Sequence, residues 1–185
     1  MIDCIDSICT TVTGLNYEIY VVDNGSIDDS VKAVREQFPR VIVIENQENK
    51  GFAAAVNQAL GKNAATYSVL INTDTLLHKN AIRVMYSFMN QRKDVGIAGA
   101  QLEKPDGTRQ HSYDNYPALA TELFNKSLLQ WLFPYKYPSK KHPIVLPMEV
   151  ESVIGACMMI RNEAIKNVGK LDEDYFFFLD ETDWC

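Results

Sequence analysis

The chain predicts a single α/β domain in which helices flank a mostly parallel sheet. Two observations carry this. Short runs of β-branched, aromatic and aliphatic residues at 17–22, 41–44, 67–71 and 95–98 alternate with stretches of helical periodicity, as βαβ units do. Polar residues then follow the strand runs abruptly, at Asp23-Asn24-Gly25-Ser26, at 46–51 and at Asn72-Thr73-Asp74-Thr75. Open α/β sheets bind ligands beyond the carboxyl ends of their strands, so these loops are expected to gather on one edge.

The elements follow in order. Ile2, Ile5, Ile8, Cys9 and Val12 have a helical spacing that ends near Gly14. After the strand at 17–22, residues 26–29 offer capping side chains for a helix carrying Val31, Val34 and Phe38, which Pro39 ends. Residues 51–60 are alanine-rich and helical, with Asn57 read as a surface polar residue, and 81–89 form the next helix. Pro105-Asp106-Gly107 is a turn. Between 113 and 150, aromatic residues sit among prolines and lysines, and an amphipathic helix is expected over 118–132. It is read as a helix packed on the core, with contact to a lipid surface or an acceptor sugar as the other use of such a face. Residues 151–160 return to strand and 162–168 to helix.

Bulk properties exclude several classes. The 185 residues suffice for one domain with a core, and the 46% hydrophobic and 23% charged content is that of an ordinary globular protein. A net charge of −6, with both signs interspersed, argues against a nucleic-acid partner. The four cysteines show neither metal-binding nor redox spacing, so free thiols in a reducing cytosol are expected. No apolar run approaches the roughly 20 residues of a membrane span, and no signal peptide is evident.

Four motifs carry chemistry. Asp23 follows an apolar strand; an acid there accepts hydrogen bonds from a base or a ribose hydroxyl, or else caps the turn that follows. In Asn49-Lys50-Gly51-Phe52, Gly51 lets backbone approach a ligand, the helix start favours an anion, and Lys50 pairs with a phosphate or is simply solvated. Asp74 beyond the strand 67–71 is placed to ligate a hard divalent ion, Mg²⁺ or Mn²⁺, or to cap the next helix. The apolar run 175–179 leads into Asp180, Glu181 and Asp183, where apolar walls raise a carboxylate toward a useful base, unless the acids are only a surface turn.

In order and rough spacing these motifs resemble the family 2 glycosyltransferases of GT-A (Rossmann-like) fold, in particular their rhamnosyltransferase-like branch. The likeness covers nearly the whole chain. It implies donor binding at Asp23, Asn24, Lys50, Gly51, Asn72 and Asp74, with Asp23 on the nucleoside and Asp74 on the metal and diphosphate. It implies sugar or acceptor contacts at Gly155, Ala156, Asp183 and Trp184, and a general base at Glu181. The family often has proline where this chain has Thr73. It usually orders the late acids Glu then Asp, and here Asp180 precedes Glu181, so Asp180 stays an alternative base.

The implied function is inverting transfer of a sugar from a nucleotide-diphosphate donor to a glycan or lipid-linked acceptor. This would serve cell-surface polysaccharide synthesis in the cytoplasm, with peripheral association at the inner face of the plasma membrane. A sugar nucleotidyltransferase and a degenerate nucleotide-sugar-binding domain are the alternatives. Relatives open with a buried strand that lies centrally in the sheet, and they continue beyond the late acids. The chain is therefore expected to be a partial catalytic domain, truncated at both ends, with two sheet edges left exposed.

Overall fold

The computed structural model describes residues 1–62, 64–116, 146–175 and 180–185. The expected helix over 118–132 and the aromatic run at 176–178 lie outside them. The described elements are α1 (Ile2–Thr11), β1 (Tyr20–Asp23), α2 (Ser30–Gln37), β2 (Ile42–Glu45), α3 (Phe52–Leu60), β3 (Tyr67–Ile71), α4 (Ala81–Gln91), β4 (Ile97–Gly99), β5 (Tyr113–Asp114), β6 (Ser152–Val153), β7 (Cys157–Arg161), α5 (Asn162–Val168) and α6 (Asp180–Trp184).

The strands pair in three groups. β1 and β2 are parallel, with Tyr20 opposite Ile42 and Asp23 opposite Glu45. β7 lies between β3 and β4 and is antiparallel to both, so every ladder of this larger sheet is antiparallel; among the described residues parallel pairing is found in β1–β2, and the domain as a whole is mixed rather than mostly parallel. The reason is topological: β6 turns into β7 through 154–156 beside the carboxyl ends of β3 and β4, so β7 enters from that end and runs back. β5 pairs with β6. Among the described residues no ladder joins β1 to β3. The expected strand at 151–160 is in fact two strands broken at 154–156.

The core forms on both faces of β7, whose five residues are all buried. Successive side chains alternate across a sheet. Cys157 and Met159 accordingly join Leu77, Ile82, Met85 and Met89, with Ile8 of α1 and Val12 just after it packed against the cluster. The spacing of Ile82, Met85 and Met89 gives α4 one apolar face, which it lays on this sheet.

Arg161 closes the end of β7 and is 8% exposed. Its Nη2 donates to the carbonyls of Met89 (2.7 Å) and Arg92 (3.0 Å), its Nε to Val95 O (3.1 Å), and its Nη1 to the Tyr67 hydroxyl (3.0 Å). The guanidinium also lies 5.1 Å from the centroid of the Tyr67 ring. A cation suits the carboxyl end of α4, where helix carbonyls lack partners. Arg161→Met should lower stability by about 3 kcal/mol through the orphaned carbonyls, a fall of roughly 6–12 °C in Tm by thermal unfolding. Arg161→Lys should recover only part, because an ammonium cannot reproduce the planar fork.

Candidate active site

The loops after β1 and β2 are joined by side-chain amides. Gln58 Nε2 donates to Asn46 Oδ1 (3.0 Å), and Asn46 Nδ2 donates to Asn24 Oδ1 (3.0 Å). Asn24 Nδ2 then donates to Asn49 Oδ1 (3.1 Å) and Gly51 O (3.0 Å), while Gly51 N donates to Asn49 Oδ1 (2.9 Å). Gly51, at φ +87°, adopts a backbone conformation that glycine takes at little cost and so opens α3 where the chain must turn. Asp23 Oδ2 accepts the N–H groups of Gly25 (3.2 Å) and Ser26 (3.1 Å). Asp23 therefore caps its turn, and its other oxygen takes no hydrogen bond from the described residues. Lys50 is exposed beside Gly51.

The loop after β3 is fastened to the start of β7. Asn72 N and Thr75 Oγ1 both donate to Ala156 O, at 3.1 and 3.2 Å. From below, the buried thiol of Cys4 points at Asn72 O (3.5 Å). Burial pushes the Cys4 thiol up, and the nearby Asp74 charge adds to this. Asp74 itself is exposed and engages no described residue in a hydrogen bond or ion pair. An unengaged hard oxygen donor fits Mg²⁺ or Mn²⁺, which take one or two carboxylates and complete their sphere with phosphate oxygens and water. Among the described residues no group of three ligating side chains is assembled.

The late acids lie on α6. Glu181 rests on Gly155, whose missing side chain leaves room for the carboxylate. Its acidity is weakened first by burial and then by the charge of Asp180, so its pKa rises above the ordinary glutamate value; the Gly155 backbone hydrogen bond works the other way. Asp180 is only 3% exposed, and its Oδ2 is buried without a partner among the described residues. Ser152 Oγ donates to Thr182 Oγ1 (3.2 Å) and Trp184 Nε1 to Gly169 O (3.1 Å), which hold α6 in place. Asp183 is exposed.

The predicted residues thus fall into two clusters. One holds Asp23, Asn24, Lys50 and Gly51. The other brings the Asn72–Asp74 loop, Gly155, Ala156 and Glu181 together, because Ala156 accepts from the loop and its neighbour Gly155 seats the glutamate. Asn57 departs from its reading as a surface residue. It is 6% exposed, its Nδ2 donates to Leu171 O (2.8 Å) and Glu173 Oε1 (2.9 Å), and its Oδ1 accepts from Leu171 N (3.2 Å). Through it α3 is tied to the segment that leads to α6. Asn46 and Gln58 were not singled out as site residues; the recurrence of asparagine at the ends of β1 and β2 was the available signal. All four cysteines are free thiols, and no helix among the described residues is long and apolar enough to cross a membrane.

Comparison with known proteins bears on the family and the fold. The model of glycosyl transferase family 2 matches residues 1–169. An N-acetylglucosaminyl-diphospho-decaprenol L-rhamnosyltransferase of Mycobacterium tuberculosis is 24% identical over 182 residues, spanning 89% of this chain and 58% of the relative. Glycosyltransferase GlyA of Streptococcus pneumoniae is 36% identical over 98 residues, spanning 51% of this chain and 14% of GlyA. Among solved structures, S. aureus TarS 1-349 superposes with a TM-score of 0.62 at 13% identity, covering 97% of this chain and 48% of that one. Mannosyltransferase PcManGT from Pyrobaculum calidifontis, in complex with GDP-Man and Mn²⁺, gives 0.61 at 18% identity, covering 97% and 46%. At such identities the structural likeness shows the fold. The chain spans about half the length of these proteins, from 46% to 58% apart from the shorter GlyA alignment.

Asn46 is the central link of the amide chain. Asn46→Ala should cost about 1–3 kcal/mol by removing the partner of Asn24 Oδ1 and of Gln58 Nε2. Hydrogen exchange should speed up at Gly25 and Gly51 while the β3–β7–β4 amides keep their protection.

Proposed function

Because the chain belongs to glycosyl transferase family 2 and has its GT-A α/β fold, we propose that it is part of a catalytic domain that transfers a sugar from a nucleotide-diphosphate donor. In this reading the acceptor is a hydroxyl of a glycan or lipid-linked molecule, and the product serves cell-surface polysaccharide synthesis at the cytoplasmic face of a membrane. The names of the relatives support the acceptor class: the mycobacterial protein is an N-acetylglucosaminyl-diphospho-decaprenol L-rhamnosyltransferase. The observation that carries the mechanism is the seating of Glu181 on Gly155, one residue from the carbonyl that anchors the Asn72–Asp74 loop.

In this reading each residue takes a role. Asp23, with one carboxylate oxygen left over, and Asn24 hold the nucleoside. Lys50, the Gly51 backbone and Asn72 face the diphosphate. What a divalent ion at Asp74 supplies when bound is neutralisation of the charge on the departing diphosphate. Gly155, Ala156, Asp183 and Trp184 border the space for the sugar and acceptor. Glu181 accepts the proton of the acceptor hydroxyl as its oxygen bonds to the anomeric carbon. The bond from that carbon to the diphosphate breaks with inversion, and the electron pair leaves on the phosphate oxygen. Asp180, buried beneath, is poorly placed to touch an acceptor, and it favours the protonated form of Glu181. A base of raised pKa accepts a proton more readily near neutral pH.

Kinetics, melting and titration test this. Glu181→Gln should leave donor affinity within about twofold and cut turnover ~10²–10⁴-fold, with Asp180→Asn doing less. The acidic limb of kcat/KM should lie above the ordinary glutamate range and vanish in Glu181→Gln. The sign for stability is opposite: a carboxyl whose folded pKa is raised binds its proton more tightly when folded, so it loses stability as pH rises through that pKa. Glu181→Gln should therefore melt higher than the parent at pH 7. Donor binding with no turnover in the parent would instead indicate a binding domain. For Asp74→Asn, calorimetric titration with UDP and GDP should show the Mn²⁺-dependent part of binding lost and the metal-free part kept; an unchanged Mn²⁺ effect would remove Asp74 as the ligand.

A further inference from the structure

We propose that Gly155 is a positioning residue for Glu181: the space left by its missing side chain is the seat of the glutamate, so residue 155 sets how long a base the site can hold. This rests on Glu181 as the base. A Cβ built on Gly155 would stand 2.9 Å from Glu181 Cγ and 3.0 Å from Cδ, and closer still to Oε1. The backbone does not itself require glycine, because Gly155 is absent from the glycines of positive φ. The obstacle to a side chain here is the carboxylate.

Both backbones are held, so the Glu181 side chain, which meets the added methyl with its far end, is what must shift. Gly155 is buried between β6 and β7, Ile154 N donates to Ser112 O (3.1 Å), and β7 is paired on both edges. α6 is pinned by the Ser152–Thr182 hydroxyl pair and by the Trp184 indole. Among the described residues, the titratable groups that act on Glu181 are Asp180 on its own helix and the Cys185 thiol, and neither offers the carboxylate a cationic seat. An aspartate at 181 would be one methylene shorter and would withdraw from the Gly155 α-carbon. A small residue at 155 and a long acid at 181 therefore make a size-matched pair.

The test is a double-variant cycle on the full chain with Gly155→Ala, Glu181→Asp and the two combined. Gly155→Ala should lower Tm by roughly 3–8 °C through overpacking. It should also cut nucleoside diphosphate release from UDP-, GDP- and dTDP-linked sugars by about 10²-fold, as a small misplacement of a reacting group does, with donor affinity unchanged. In the Glu181→Asp background the same methyl should cost little in either measurement. Additive melting losses overturn the proposal, and that reading needs no donor, so it is independent of the proposed reaction. Compensation in melting, combined with parental turnover in Gly155→Ala, would overturn the positioning role and leave only a packing contact; parental turnover in Glu181→Gln would overturn the base assignment itself.

Discussion

The site depends on the burial of β7 between two strands that run against it. All five of its residues are excluded from solvent, and its ladders to β3 and β4 fix its register along its whole length. With Cys157 opposite Ile71, the turn before β7 must lie beside the loop after β3. That adjacency lets one carbonyl, Ala156 O, hold the Asn72–Asp74 loop while the neighbouring α-carbon receives Glu181. A one-residue slip would reverse every side chain of β7 and move both fixtures at once. Register, set by hydrophobic alternation, is thus converted into the spacing of polar groups.

The charge balance around this edge is one-sided. The ion pairs among the described residues are Arg35–Glu45, His78–Glu103, Arg92–Asp94 and His111–Asp114, and none includes Asp74, Asp180, Glu181 or Asp183. Those surface pairs contribute little to stability. Among the described residues the four acids have no cationic partner. In the proposed reading a divalent ion at Asp74 and the ammonium of Lys50 would supply the counter-charge for the diphosphate.

Much of the fold was legible because it rests on hydrophobic pattern. The runs at 41–44 and 67–71 became β2 and β3 almost unchanged, and α4 began where its apolar spacing began. What stayed hidden depends on partners distant in sequence. Asn57 reads as a surface residue in an alanine-rich helix because its partner lies 114 residues away. Arg161 carries no local sign that it will bond to Met89, Arg92 and Val95. The break at 154–156 had a signal, a lone glycine inside a strand pattern, which marks a bulge or a close approach. The candidate acids stand out in the sequence by their position after apolar runs; that Asp180 is the more deeply buried of the pair does not, since burial is set by the packing of α6 and not by its sequence.

The buried amide of Asn57 has a mechanical consequence. It engages both backbone groups of Leu171, as a neighbouring strand would, and Lys170 Nζ adds a bond to Asn57 O (3.1 Å). α3 and the stretch 170–173 are therefore one rigid lever, unable to slide past each other without breaking buried hydrogen bonds. The loop ahead of the helix joins this fixed unit at Gly51, so the Asn24, Asn49 and Gly51 hydrogen bonds hang from a support that also carries the stretch leading to the helix that bears Glu181.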